Sequence, residues 1–205
     1  HASCLGDLLA VCDIKQDVVT SVGKHYHCQS YSSIEDMLAS EKTLDLVAIC
    51  TPNGLHADHS IKALKAGCNV LCEKPMATTV HDCERMIHIA EETNHRLFIV
   101  KQNRFNPPVK AVKKVIEEGK LGKIFNVQVN CFWNRNREYY KGSEWRGKLK
   151  MDGGTLFTQY SHFIDLLYWF VGDVEEIRSF TDNYIHKDVV EFEDTGVVVL
   201  KFTNG

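Results

Sequence analysis

The stretch from Leu44 to Cys72, LDLVAICTPNGLHADHSIKALKAGCNVLC, decides the fold. LDLVAIC is a continuous apolar run, too short for a helix and suited to a strand buried on both sheet faces. GLHADHSIKALKAG then takes up helical spacing and ends at Gly67, the residue type that favours a left-handed helix stop. NVLC is a second short apolar strand. Strand, helix and strand within this span form a parallel unit with a right-handed crossover.

The pattern extends to both sides. DLLAVCD is a strand ending on Asp13, DVVTSVGKH a helix, and SSIEDMLAS a helix capped by Ser32 or Ser33. VHDCERMIHIAEET follows a threonine cap as a further helix, and RLFIV is a further strand. From about Lys101 the character changes. PPVKAVKKVIEEG opens on prolines and closes at Gly119. KIFNVQVNCFW alternates as a strand with one solvated face, and GGTLFTQYSHFIDLLYWFVG is apolar on nearly all sides, as one mostly buried helix would be. EEIRSFTDN and GVVVLKFTN are strands. The expected fold class is α/β: a doubly wound parallel sheet over residues 1–103, then an α+β open-sheet domain over residues 104–205, both partial.

Bulk properties narrow the function. The chain has 205 residues, 44% of them hydrophobic, and a formal net charge of −3. That is enough to bury one sizeable core or two modest ones. The charge provides no basic field for a phosphate backbone, so a nucleic-acid partner is not expected. No apolar run approaches the length of a membrane span. The eight cysteines contain no C-x-x-C pair and lie mostly in apolar runs, as reduced, buried thiols of a cytoplasmic protein would. His56 and His59 have helical i, i+3 spacing but no evident third ligand, so no metal is expected.

Ligands of open parallel sheets bind beyond the carboxyl ends of the strands. Here those ends carry Asp13, then Thr51, Pro52, Asn53 and His56, then Glu73-Lys74-Pro75, then Gln102, Asn103 and Arg104. A carboxylate at Asp13 suits a ribose diol and repels a 2′-phosphate, which favours NAD over NADP; a simple turn aspartate is the alternative. Asn53 and His56 line a cofactor or cap the next helix, and Asn103 and Arg104 contact ligand or cap structure. The glycine-rich loop of a dinucleotide fold is missing. The chain begins at His1, so the first strand and its loop are expected to precede residue 1.

The segments AGCNVLCEKPMATT, KQNRFNPPVKAVKKVIEEGKLGKI and GGTLFTQYSHFIDLLYWFVGD, in that order, resemble the Gfo/Idh/MocA oxidoreductases along essentially the whole chain. The resemblance implies a Rossmann domain, a C-terminal domain whose sheet mediates dimer or tetramer contacts, and oxidation or reduction of sugars and polyols with NAD. It makes Lys74 the active-site lysine and Glu73 a residue that seats cofactor and lysine. The bond before Pro75 is often cis in relatives. His162 takes the place of the acid/base histidine. In polyol-oxidising relatives an aspartate stands where this chain has Thr158, which cannot act as a carboxylate base. Thr158 and Gln159 are then limited to orienting substrate, with Asp165 a weaker partner for His162.

A non-acidic residue at that place, and the segment NREYYKGSEWRGKLKMDGGTLF, resemble the branch that oxidises the 3-hydroxyl of UDP-N-acetylglucosaminuronate. Arg137, Tyr139, Tyr140, Trp145 and Arg146 offer cations for carboxylate or diphosphate and aromatic faces for sugar or uracil; an ordinary surface loop is the alternative. Two other functions stay open. One is a dehydrogenase of a free sugar or inositol-like polyol, and the other is a ligand-sensing protein of the same fold without turnover.

Overall fold

The computed structural model describes residues 6–204. They divide into two compact units: residues 6–50, 56–72 and 81–98 form one, and residues 51–55, 73–80 and 99–204 the other.

The first unit is built from strands β1 (Ala10–Cys12), β2 (Gln29–Tyr31), β3 (Leu46–Ile49) and β4 (Asn69–Cys72), helices α1 (Gln16–Tyr26), α2 (Ile34–Ser40), α3 (His56–Lys65) and α4 (Val80–Glu92), and strand β5 (Leu97–Ile99). β1 and β2 pair in parallel, with Ala10 opposite Gln29. β3 and β4 pair in parallel, with Leu46 opposite Asn69, and β5 lies on the other side of β4. β2 was not legible in the sequence, because QSY carries no apolar run. The Asn69 side chain aligns three strand entries: it donates to the Asp45 carbonyl and accepts from the Arg96 amide, both at 2.9 Å.

The core of this unit is Val19, Val47, Ile49, Leu64, Val70 and Met86, all under a tenth exposed. The expectation of strands covered on both faces holds for one face only. Val47, Ile49, Val70 and Cys72 are buried, whereas Leu46 is 48% and Leu71 36% exposed. Apolar run length reports low polarity, not how many layers pack on a sheet. The helix boundaries follow their local chemistry: the Ser33 hydroxyl accepts from the Asp36 amide and caps α2, and Gly67 turns the chain at φ +90°.

The second unit holds α5 (Pro107–Glu117), α6 (Arg137–Lys141), α7 (Leu149–Asp152), α8 (Thr155–Thr158), α9 (Ser161–Val171) and the antiparallel hairpin β6 (Val174–Asp182) with β7 (Thr195–Phe202). Tyr140, Val190 and Phe192 form a small core that ties α6 to the segment before β7.

Two expectations differ from what forms here. Residues 123–133 alternate as predicted but join no ladder among the described residues, leaving Phe125 at 83% and Phe132 at 91% exposure. Alternation specifies a pleated segment, while pairing needs a neighbouring edge. The single buried helix expected over 153–172 is two helices, α8 and α9, interrupted at Gln159 and Tyr160. The second is half-buried, with Ile164 and Tyr168 exposed.

Candidate active site

Lys74 stands just beyond β4, followed by a cis peptide bond to Pro75. The Lys74 amide donates to a Glu73 carboxylate oxygen at 3.2 Å, so the preceding side chain helps fix the lysine backbone. The Lys74 ammonium donates to the Thr158 main-chain carbonyl at 3.1 Å. That carbonyl is available because it closes α8: the last carbonyls of a helix have no partner within it. The Ser161 hydroxyl donates to the same oxygen at 3.3 Å. The helix interruption thus makes the lysine's docking point.

His162 sits in the first turn of α9. Its Nδ1 is buried and has no hydrogen-bond partner among the described residues. Burial lowers the imidazole pKa, and the cations Lys74 and Lys101 lower it further, against weaker support from Asp165 and Glu73. The ring is therefore held neutral at ordinary pH. Burial likewise lowers Lys74, with Glu73 and Asp152 favouring its charged form and Arg135 opposing it. Lys101 is lowered by burial as well. Two lysine side chains and an uncharged imidazole thus share one electrostatic neighbourhood.

The other predicted residues fall into distinct settings. Asp13 closes β1 with an exposed carboxylate, one oxygen of which accepts the Lys15 amide at 2.8 Å. Thr51 and Pro52 are half-buried, and the buried His56 opens α3. Asn53 is buried and donates through its amide to the Asp152 carbonyl at 2.9 Å, a structural bond. Gln102 is exposed and Asn103 half-buried.

Arg104 forms a two-pronged bond with Asp165, 2.7 Å on each arm, and lies 5.5 Å from the Trp169 ring. Asp165 is thereby committed to Arg104. Tyr140 is buried in the small core, its ring edge-on to Tyr139. Tyr139 has two cations over its ring, Arg135 at 4.5 Å and Arg146 at 4.4 Å from the ring centre. Arg146 also lies 5.7 Å from Trp145. The Nε atoms of Arg135 and Arg146 are buried without partners among the described residues. Arg137 instead pairs with Asp188 at 2.8 Å. Thr158 is buried and directs its hydroxyl to the Gly154 carbonyl at 2.9 Å, while Gln159 occupies the helix break.

Sequence reasoning did not pick out Lys101, Arg135 or Asp152. Lys101 directly precedes the strand-end residues Gln102 to Arg104 and could have been found there. Arg135 and Asp152 lie in a polar stretch of sequence, where nothing in spacing distinguishes a buried charge from a solvated one.

Comparison with known proteins identifies the family. Residues 1–101 match the family described as an oxidoreductase family with an NAD-binding Rossmann fold, and residues 109–205 match the GFO/IDH/MocA C-terminal domain. The fold superposes with a TM-score of 0.93 on the WlbA dehydrogenase from Bordetella pertussis, solved in complex with NADH and UDP-GlcNAcA. Identity is 41%, covering 97% of this chain and 61% of that one. The WlbA enzyme from Chromobacterium violaceum, solved with the same two ligands, gives a TM-score of 0.94 and 38% identity, covering 100% of this chain and 58% of that one. A curated relative, the scyllo-inositol 2-dehydrogenase (NADP(+)) IolW of Bacillus subtilis, is 34% identical over 62% of this chain and 35% of its own length. The chain spans between about a third and a half of the first curated relatives it matches. With both halves matched in order, the chain belongs to the Gfo/Idh/MocA oxidoreductase family.

Proposed function

We propose that the protein is an NAD-dependent dehydrogenase that oxidises a sugar hydroxyl, the 3-hydroxyl of a UDP-linked N-acetylated hexuronate. The observation that carries the substrate is the 41% identity, over 97% of the chain, to a dehydrogenase solved with NADH and UDP-GlcNAcA. The free sugar or inositol reading draws on the inositol dehydrogenase relative, which matches less of the chain at lower identity.

The residues present fit the cofactor. An exposed carboxylate at the end of β1 suits the two hydroxyls of an adenosine ribose and disfavours a 2′-phosphate. Thr51, Pro52, Glu73 and Gln102 are the further strand-end positions assigned to it. A bound nicotinamide supplies the hydride acceptor.

The chain's own residues handle the substrate and the proton. The Lys74 ammonium hydrogen-bonds the reacting oxygen and stabilises developing alkoxide charge. His162, kept neutral by burial and neighbouring cations, accepts the hydroxyl proton. Arg135 and Arg146, both against the Tyr139 ring, provide cations for the carboxylate or diphosphate. Cytoplasmic location and assembly of copies through the hairpin sheet belong to the same proposal. Apolar side chains exposed on that sheet, including Phe180 at 86% and Val197 at 67%, support the assembly.

The test incubates the full-length protein with NAD and a panel of UDP-sugars and free polyols while following absorbance of the reduced cofactor. A 2-oxo acid is added as hydride acceptor, so that a tightly held cofactor can turn over. Reduction with the UDP-hexuronate alone supports the proposal. Reduction with polyols alone overturns its substrate.

A further inference from the structure

Helix α8 has four residues, too few to hold its own shape or place. Its first amides need acceptors from outside the helix. A capping side chain usually supplies one, but the cap of α8 is Gly154, at φ +113°. Glu193, 37 residues beyond Leu156, supplies it instead: one carboxylate oxygen accepts the Leu156 amide at 3.1 Å. The Thr155 hydroxyl adds a second bond, to the Glu193 carbonyl at 2.6 Å. Glu193 is itself held without help from α8. Before it, Phe192 lies in the small core with Tyr140, and its carbonyl accepts the Asn183 side-chain amide at 3.0 Å. After it, the Asp194 amide donates to the Asp182 carbonyl at 3.1 Å, and the Asp194 carboxylate gathers the amides of Tyr184, Ile185 and His186.

The opposite end of α8 carries the Thr158 carbonyl, on which the Lys74 ammonium docks at 3.1 Å. Resting on the proposed role of Lys74, we infer that Glu193 is a positioning residue for sugar oxidation. By anchoring the start of α8 it sets where the Thr158 carbonyl stands, and hence where the Lys74 ammonium is presented. Every link is a hydrogen bond: Thr155 and Leu156 to Glu193, the Thr158 amide to the Gly154 carbonyl at 2.9 Å within α8, and Lys74 to Thr158. The same segment contains a natural comparison. Glu191 accepts the Leu149 amide at 2.9 Å and the Lys148 ammonium at 3.0 Å, and so anchors α7. Two glutamates on one stretch of chain thus pin two successive four-residue helices. The lysine's acceptor belongs to the helix that Glu193 holds.

The experiment compares wild type with Glu193→Ala, Glu193→Gln and Glu191→Ala in the full-length protein. Competitive acylation quantified by mass spectrometry reads each lysine, and cofactor reduction with the UDP-hexuronate gives kcat and KM. Removing its carbonyl acceptor from a half-buried lysine favours the neutral amine. Lys74 of Glu193→Ala should therefore acylate about two- to tenfold faster relative to the other lysines, the contribution of about one hydrogen bond. kcat should fall by a similar factor with KM for NAD unchanged. Glu193→Gln keeps an oxygen for the Leu156 amide and should restore both, and Glu191→Ala should leave Lys74 acylation as in wild type. If Glu193→Ala does not fold, Thr155→Val takes its place, cutting the other bond while keeping the Glu193 side chain. Unchanged Lys74 acylation in the folded bond-cutting variant, or an equal rise in Glu191→Ala, overturns the inference. Acylation requires no turnover, so a failed UDP-sugar assay would count against the proposed substrate and leave this measurement decisive for Glu193.

Discussion

The ammonium of Lys74 docks on the main-chain carbonyl of Thr158, 3.1 Å away, across 84 residues of sequence. The acceptor is the backbone, so the bond does not depend on which side chain occupies position 158. It depends on α8 ending there, with α9 beginning a few residues later. A continuous helix would commit that carbonyl to its own ladder.

Replacing Lys74 with Met should remove turnover while sparing the fold. The methionine keeps the apolar stem and loses the donor that stabilises alkoxide charge. The expected drop in kcat/KM is about 10²–10⁴-fold. Circular dichroism checks the fold and cofactor reduction the rate; near-normal turnover would exclude Lys74 from the chemistry.

His162 sets the acid side of the pH profile. Its pKa lies below the usual histidine value, and the protonated ring cannot accept a proton. Oxidation should therefore fall as pH drops through that depressed pKa, and stay level above it until another group titrates. His162→Asn should abolish the limb and slow turnover by about 10²–10⁴-fold. A pH–rate series of wild type and variant measures both.

The Arg104–Asp165 pair should support both stability and that same limb. Its carboxylate side chain is 13% exposed, so Asp165→Asn leaves Arg104 with a poorer partner, costing about 1.5–3 kcal/mol. Asp165 also favours protonated His162, so its neutralisation should move the acid limb to lower pH. Denaturant melts and a double-mutant cycle with Arg104→Gln measure the first effect, and the pH–rate series the second.

Asp194 locks the connection between β6 and β7. Burial by itself would raise this carboxyl. The amides of Tyr184 and Ile185, the Thr195 hydroxyl and His186 outweigh burial and hold it down to about 2. A depressed folded pKa means the stabilisation is complete above the unfolded value and disappears as pH falls through about 2. Asp194→Asn should cost about 2 kcal/mol at neutral pH, with the difference from wild type closing in acid. Thermal melts at pH 7 and in strong acid would show it; equal melting temperatures at pH 7 would contradict it.

What the chain determines alone is local and periodic. The apolar runs LVAI and NVLC, the stop at Gly67 and the Ser33 cap are short-range choices, and they form as their side-chain chemistry dictates. The family resemblance likewise singled out Lys74 and His162 from short motifs. Tertiary structure decided whatever depends on a distant partner. Residues 123–133 have strand periodicity and no ladder among the described residues, because pairing requires an edge that periodicity cannot supply. Arg104 and Asp165 claim each other, which spacing 61 residues apart could not reveal. The burial of Asp152 was hidden for the same reason: a polar residue loses its water only when folding packs segments distant in sequence around it.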